Sequence, residues 1–94
     1  MYVVVQHQVT DPAKFWPADA AQFSTTLPPH LKLHQTLASI DGSQAVCVWE
    51  GESVNAVRDW LDPTTAGASV NAYFAAVNKD GIAIPADRLA TQRT

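Results

Sequence analysis

Asp41-Gly42 lies between two runs of strand-forming residues, His30 to about Ser39 and Gln44 to Glu50. An Asp-Gly pair accepts the positive φ angles of a two-residue loop, so this spacing predicts a β-hairpin with a defined register. Ile40 then pairs with Ser43, Ala38 with Ala45, Thr36 with Cys47 and His34 with Trp49. The alternate set pairs Leu37 with Val46 and Gln35 with Val48, and sets Leu33 next to Glu50. Side chains alternate across a strand, which sorts the hairpin into two faces. Leu31, Leu33, Leu37, Val46 and Val48 form the apolar set expected beneath helices, leaving Lys32, His34, Thr36, Cys47 and Trp49 for an uncovered face.

The remaining elements follow from period and punctuation. Residues 2 to 9 are rich in β-branched valine and predict an opening strand, ended by Asp11-Pro12. A single turn over about 12–16, a kink at Pro17 and a helix over about 17–25 follow, with Trp16, Ala20, Phe23 and Leu27 on one stripe. Ser53 caps a second helix carrying Val54, Val57 and Leu61 on one side, and Asp62-Pro63 closes it. After a linker over 64–68, Ser69 is expected to cap a short helix with Val70, Tyr73, Phe74 and Val77 facing inward. Lys79-Asp80-Gly81 turns into a last strand, Ile82-Ala83-Ile84, ended by Pro85. Residues 1–85 thus form one domain, and 86–94 a polar tail.

The resulting order, β-α-β-β-α-β, is the split βαβ arrangement of an α+β domain. Right-handed crossovers place its strands in the order 4-1-3-2, with the helices on one face of a four-stranded antiparallel sheet. At 94 residues the chain buries only a modest core, and its 16% charged residues fall below the roughly 25% of an average domain. A bare sheet face on such a chain predicts a second copy covering it, in a homodimer or a higher homo-oligomer. A net charge of −3, with six scattered basic residues, argues against nucleic acid. One cysteine excludes an internal disulfide framework, and no apolar run is long enough to span a bilayer. The expectation is a cytoplasmic protein with no membrane partner.

The stretch Val4-Val5-Gln6-His7-Gln8-Val9, followed by Asp11-Pro12 and Phe15-Trp16, resembles the opening of the small dimeric α+β barrel proteins of ferredoxin-like fold. That group includes antibiotic-biosynthesis-type monooxygenases, small polyketide cyclases, and muconolactone isomerase-like and stress-induced proteins. The hairpin, the Glu50-x-x-Ser53 helix start and the short helix before the last strand fit the same pattern, over about residues 2 to 85. The resemblance implies two sheets packed face to face as a barrel. It implies fold more strongly than reaction, because one fold hosts many chemistries.

His7 and His34 are the candidate catalytic residues, since imidazole serves as acid or base near neutral pH. Trp49, Thr36 and Cys47 share the hairpin face assigned to His34 and are candidate ligand-binding residues, joined by Tyr73 and by Asn71 near a cavity mouth. For Cys47, a small buried apolar role competes with thiol chemistry. Two arrangements of the first strand stay open. If Val3, Val5 and Val9 meet the helices, His7 ends the core and the glutamines line the open face; a β-bulge would instead put His7 beside His34. Both histidines and Trp49 are expected to border one cavity. The expected function is a cofactor-independent monooxygenase, cyclase or isomerase type acting on a carbonyl-containing or aromatic metabolite, with a histidine acid/base. The alternative is a non-catalytic homodimer that binds a metal, haem or small ligand, or serves as a scaffold. No metal site is assigned, because the spacing of His7, His34, Cys47 and Glu50 contains no HxH or HxxxH pair, and isolated glycines argue against a nucleotide cofactor.

Overall fold

The computed structural model describes residues 1–16, 27–78 and 83. Its elements are β1 (Tyr2–Val9), α1 (Pro12–Phe15), β2 (Lys32–Ala38), β3 (Gln44–Glu50), α2 (Val54–Thr64) and β4 (Ser69–Ala76). They form an α+β structure with one four-stranded antiparallel sheet in the order β2-β3-β1-β4, which from the other edge reads 4-1-3-2. The fold is compatible with a ferredoxin-like arrangement. No helix among the described residues is long and apolar enough to cross a membrane.

The fourth strand is not the one expected. Ser69–Ala76 is a strand paired along its whole length with β1, from Tyr2–Ala76 to Val9–Ser69, and not a helix. Val70, Tyr73, Phe74 and Val77 mimic a helical stripe, but the segment alternates with period two. Ser69, Asn71 and Tyr73 face the helices, while Val70, Ala72 and Phe74 face away. The expected helix over 17–25 and most of the expected last strand lie outside the described residues; Ala83 is exposed and in no regular element.

The helix-covered side of the sheet holds the core. Val3 and Val5 of β1, Cys47 and Trp49 of β3, Val57 and Leu61 of α2, and Leu31 pack together. In β3 and the turn-side half of β2 the faces are therefore reversed from expectation: Thr36, Ala45, Cys47 and Trp49 point to the helices, and Leu37, Val46 and Val48 to the open side, while Leu31 and Leu33 meet the core as expected. The large Trp49 ring, 1% exposed, fills space beneath α2 against Trp60, with ring centres 5.7 Å apart. An indole buries far more apolar area than a valine, so its burial dominates the choice of face.

The hairpin register holds from Ala38–Ala45 to Gln35–Val48 and then slips, so that Leu33, not His34, pairs with Trp49. The slip is a bulge between Leu33 and Gln35. A bulge does re-aim a histidine, but it lies in the edge strand β2 and acts on His34. Asp41 anchors the turn, accepting hydrogen bonds from the Ser43 N–H and from the Ser39 and Ser43 hydroxyls. These bonds hold its carboxyl near a pKa of about 2. The Ser39 N–H bonds to Gln44 O and closes the hairpin one pair outside Ile40 and Ser43, so the loop is longer than two residues. Gly42 takes φ 75°, and its carbonyl accepts the Trp16 indole N–H at 3.0 Å, tying the end of α1 to the turn.

Candidate active site

His7 lies at the end of β1 on the helix-covered face and is 4% exposed. The two neighbouring strands place Ala45 and Asn71 beside it. Phe15 of α1 covers its ring at 5.0 Å between centres. Its Nδ1 and the Asn71 Oδ1 are 2.6 Å apart, and the same oxygen accepts the Ser69 hydroxyl at 2.7 Å. The Asn71 amide nitrogen donates to Thr65 Oγ1 at 2.8 Å and to Asp62 Oδ1 at 3.0 Å, and lies 3.3 Å from the Tyr73 hydroxyl. Tyr73 in turn donates its hydroxyl proton to Asp62 Oδ1 at 2.5 Å, and Arg58 lies over the Tyr73 ring. The result is a continuous polar network at one end of an otherwise apolar interior.

Burial lowers the His7 pKa below the usual histidine value, opposed by the bond to Asn71 and by the charge of Asp62. The imidazole is therefore neutral at pH 7. The hydroxyl bond from Tyr73 holds Asp62 below the usual carboxylate range, and burial together with Asp62 raises the Tyr73 phenol well above its ordinary value. Asp62 is the anion of the network, and Tyr73 remains protonated.

His34 belongs to the other side. The bulge turns it to the open face, where its Nε2 lies 2.8 Å from Glu50 Oε1 and its ring 5.3 Å from that of Tyr2. Glu50 was expected on the opposite face from His34; the slipped register brings the two together and lowers the Glu50 pKa through that bond. His7 and His34 thus occupy opposite sheet faces and do not share a cavity with Trp49. Nor does His34 share a face with Trp49, Thr36 or Cys47. Trp49 and Cys47 are core, with Thr36 Oγ1 3.5 Å from the Cys47 sulfur, and burial raises the Cys47 pKa, keeping a thiol rather than a thiolate.

Of the candidate residues, His7, Asn71 and Tyr73 come together, although Asn71 and Tyr73 do so from a strand. Asp62, Thr65, Ser69 and Phe15 were not singled out as site residues. The sequence pattern alone places Asp62 at a helix end, Thr65 in a linker and Ser69 at a helix cap. The signal that finds Ser69 is the polar alternation Ser69, Asn71, Tyr73 once Ser69–Ala76 is taken as a strand.

A second feature lies on the open face, a hollow of about 420 Å³ at the same end of the sheet. Gln6, Gln8, Gln44, Val46, Val70 and Ala72 border it, with His7, Ala45 and Asn71 contributing from the strands beneath. Among the described residues, no three His, Cys, Asp or Glu side chains gather to hold a metal ion. Comparison with known proteins finds no matching family model, curated protein or solved structure.

Proposed function

We propose that this chain acts on a small carbonyl-containing or aromatic molecule by proton transfer, with His7 as the acid/base, in a homodimer formed through the open sheet face. The observation that carries the reading is the buried, neutral imidazole whose Nδ1 is committed to Asn71. Among the described residues no hydrogen bond reaches its Nε2, so chemistry falls to that nitrogen. Monooxygenase, cyclase and isomerase chemistry on such substrates can share a first step. A proton leaves an acidic C–H or phenol for Nε2, giving an enolate or phenolate and an imidazolium, and the imidazolium later returns it. Low solvent access around His7 supports that role, as does the aromatic wall provided by Phe15. His34, exposed and paired with Glu50, fits the dimer surface better than the reaction.

The test is exchange of α-hydrogens for deuterium in D2O across a panel of aryl ketones and β-keto esters. At least one compound should exchange faster than in buffer, and His7→Gln should reduce that excess by about 100-fold or more while His34→Gln leaves it unchanged. No exchange above buffer, or full activity in His7→Gln, overturns the reading.

Dimerisation is supported by the open face itself, where Leu37, Val70 and Phe74 are 56%, 63% and 48% exposed alongside the half-buried Val4, Val46 and Val48. A monomer by light scattering at micromolar concentration would refute that part. The same face favours a second reading, a non-catalytic homodimer that binds a neutral small molecule in the glutamine-lined hollow. Ligand-induced shifts confined to the Gln6, Gln8 and Gln44 amides, with no exchange, would select it.

A further inference from the structure

We infer that Asp62 is a positioning residue for His7: acting through the Asn71 amide, it holds the imidazole as the Nδ1–H tautomer and so makes Nε2 the basic nitrogen. The functional weight of this rests on the reading of His7 as an acid/base, but the tautomer is a property of the protein alone. An asparagine amide has nearly the same shape either way round, so its orientation is decided by what its neighbours can give and take. Ionised Asp62 only accepts, and it lies 3.0 Å from the Asn71 nitrogen. The Tyr73 hydroxyl proton is already given to Asp62, so toward Asn71 that hydroxyl also accepts. Thr65 spends its proton on the Leu61 carbonyl at 2.9 Å and likewise accepts. On the other side, Ser69 donates to the Asn71 oxygen. The nitrogen must therefore face Asp62, the oxygen must face His7, and a ring nitrogen 2.6 Å from that oxygen must carry the hydrogen.

The arrangement joins residues from three elements and the turn after α2. Asp62 is exposed on its outer side, so isosteric replacement leaves the core untouched. The experiment is a long-range 1H–15N correlation spectrum of the His7 ring in the full chain, at a pH where the imidazole is neutral. The wild type should show a protonated Nδ1 and an unprotonated Nε2. In Asp62→Asn, whose new amide can itself donate to Asn71, the Nε2–H form should rise from a minor species to about half of the population. Asp62→Glu should restore the wild-type pattern. Should Asp62→Asn fail to fold, Asp62→Ala carries the same expectation. A wild type protonated on Nε2, or a folded Asp62 variant with the tautomer unchanged, overturns the assignment. A ligand panel that fails while the tautomer responds refutes only the proposed function.

Discussion

His7 and His34 stand on one sheet within reach of the same hairpin, and the protein treats them in opposite ways. His7 is nearly solvent-free, sits under Phe15 and bonds the neutral Asn71 amide, through which it is linked to the Asp62 carboxylate. His34 is exposed, bonds a carboxylate directly and rests against Tyr2 at the rim of the open face. Burial behind a neutral amide favours the free base at His7. The same side chain is thus buried against an amide on one face and exposed beside a carboxylate on the other, and the sheet between them keeps the two environments apart.

The largest effect that separates the faces is in packing. Trp49→Ala on the covered side should cost about 3–5 kcal/mol in urea unfolding, while Phe74→Ala on the open side should cost far less in the isolated monomer. Equal losses would mean that the open face is not open. Next, His7→Ala should destabilise by about 1–3 kcal/mol, because it leaves the Asn71 oxygen short of a partner in a buried setting. His34→Ala should leave stability nearly unchanged, since an exposed hydrogen-bonded pair contributes little. Gly42→Ala should cost about 1 kcal/mol, as its φ of 75° disfavours a side chain and the added Cβ would lie 3.2 Å from the Trp16 indole nitrogen. The smallest effect is in pH. The folded-state pKa of His7 lies below its unfolded value of 6.5, so the folded form binds fewer protons there. Stability should be complete above about pH 6.5 and decline as pH falls from there through the lower folded value. Denaturant midpoints in His7→Gln should lose the His7 contribution to the slope below pH 6.5, whereas those of His34→Gln should keep it.

Much of the fold is legible in the residues themselves. Val3, Val5 and Val9 of β1 and the glutamines between them separate into covered and open faces, and Ser53 caps α2 by accepting the Ala56 N–H at 3.0 Å. The paired residues from Gln35 to Ala38 also follow from the turn. Two features resist such reading. The bulge at His34 has no local marker, and the pairings beyond it along β2 inherit the slip, although Leu31 and Leu33 meet the core and Lys32 and His34 the open side as expected. In β4 the usual pattern is inverted, because the inward side carries Ser69, Asn71 and Tyr73 to serve His7, and the outward side carries Val70 and Phe74. A strand whose polar residues point inward looks wrong for a strand until their partners are known. Asp62 and Thr65 are such partners, and their role depends on a turn returning the chain to the sheet.

The inner position of β1 also bears on how the chain is made. Its neighbours, Gln44–Glu50 and Ser69–Ala76, are both synthesised after it. Once Glu50 has left the ribosome, three strands can pair, but one side of β1 keeps its backbone groups unclaimed until Ala76 follows. At about 5–20 residues per second that interval is roughly one to five seconds. Through it the nascent chain presents Tyr2–Val9 as a valine-rich free edge, with His7 still lacking the asparagine that will hold it. The most buried histidine is therefore translated before both strands that flank it and is satisfied only by the later one, and the growing chain is most open to mispairing just before β4 arrives.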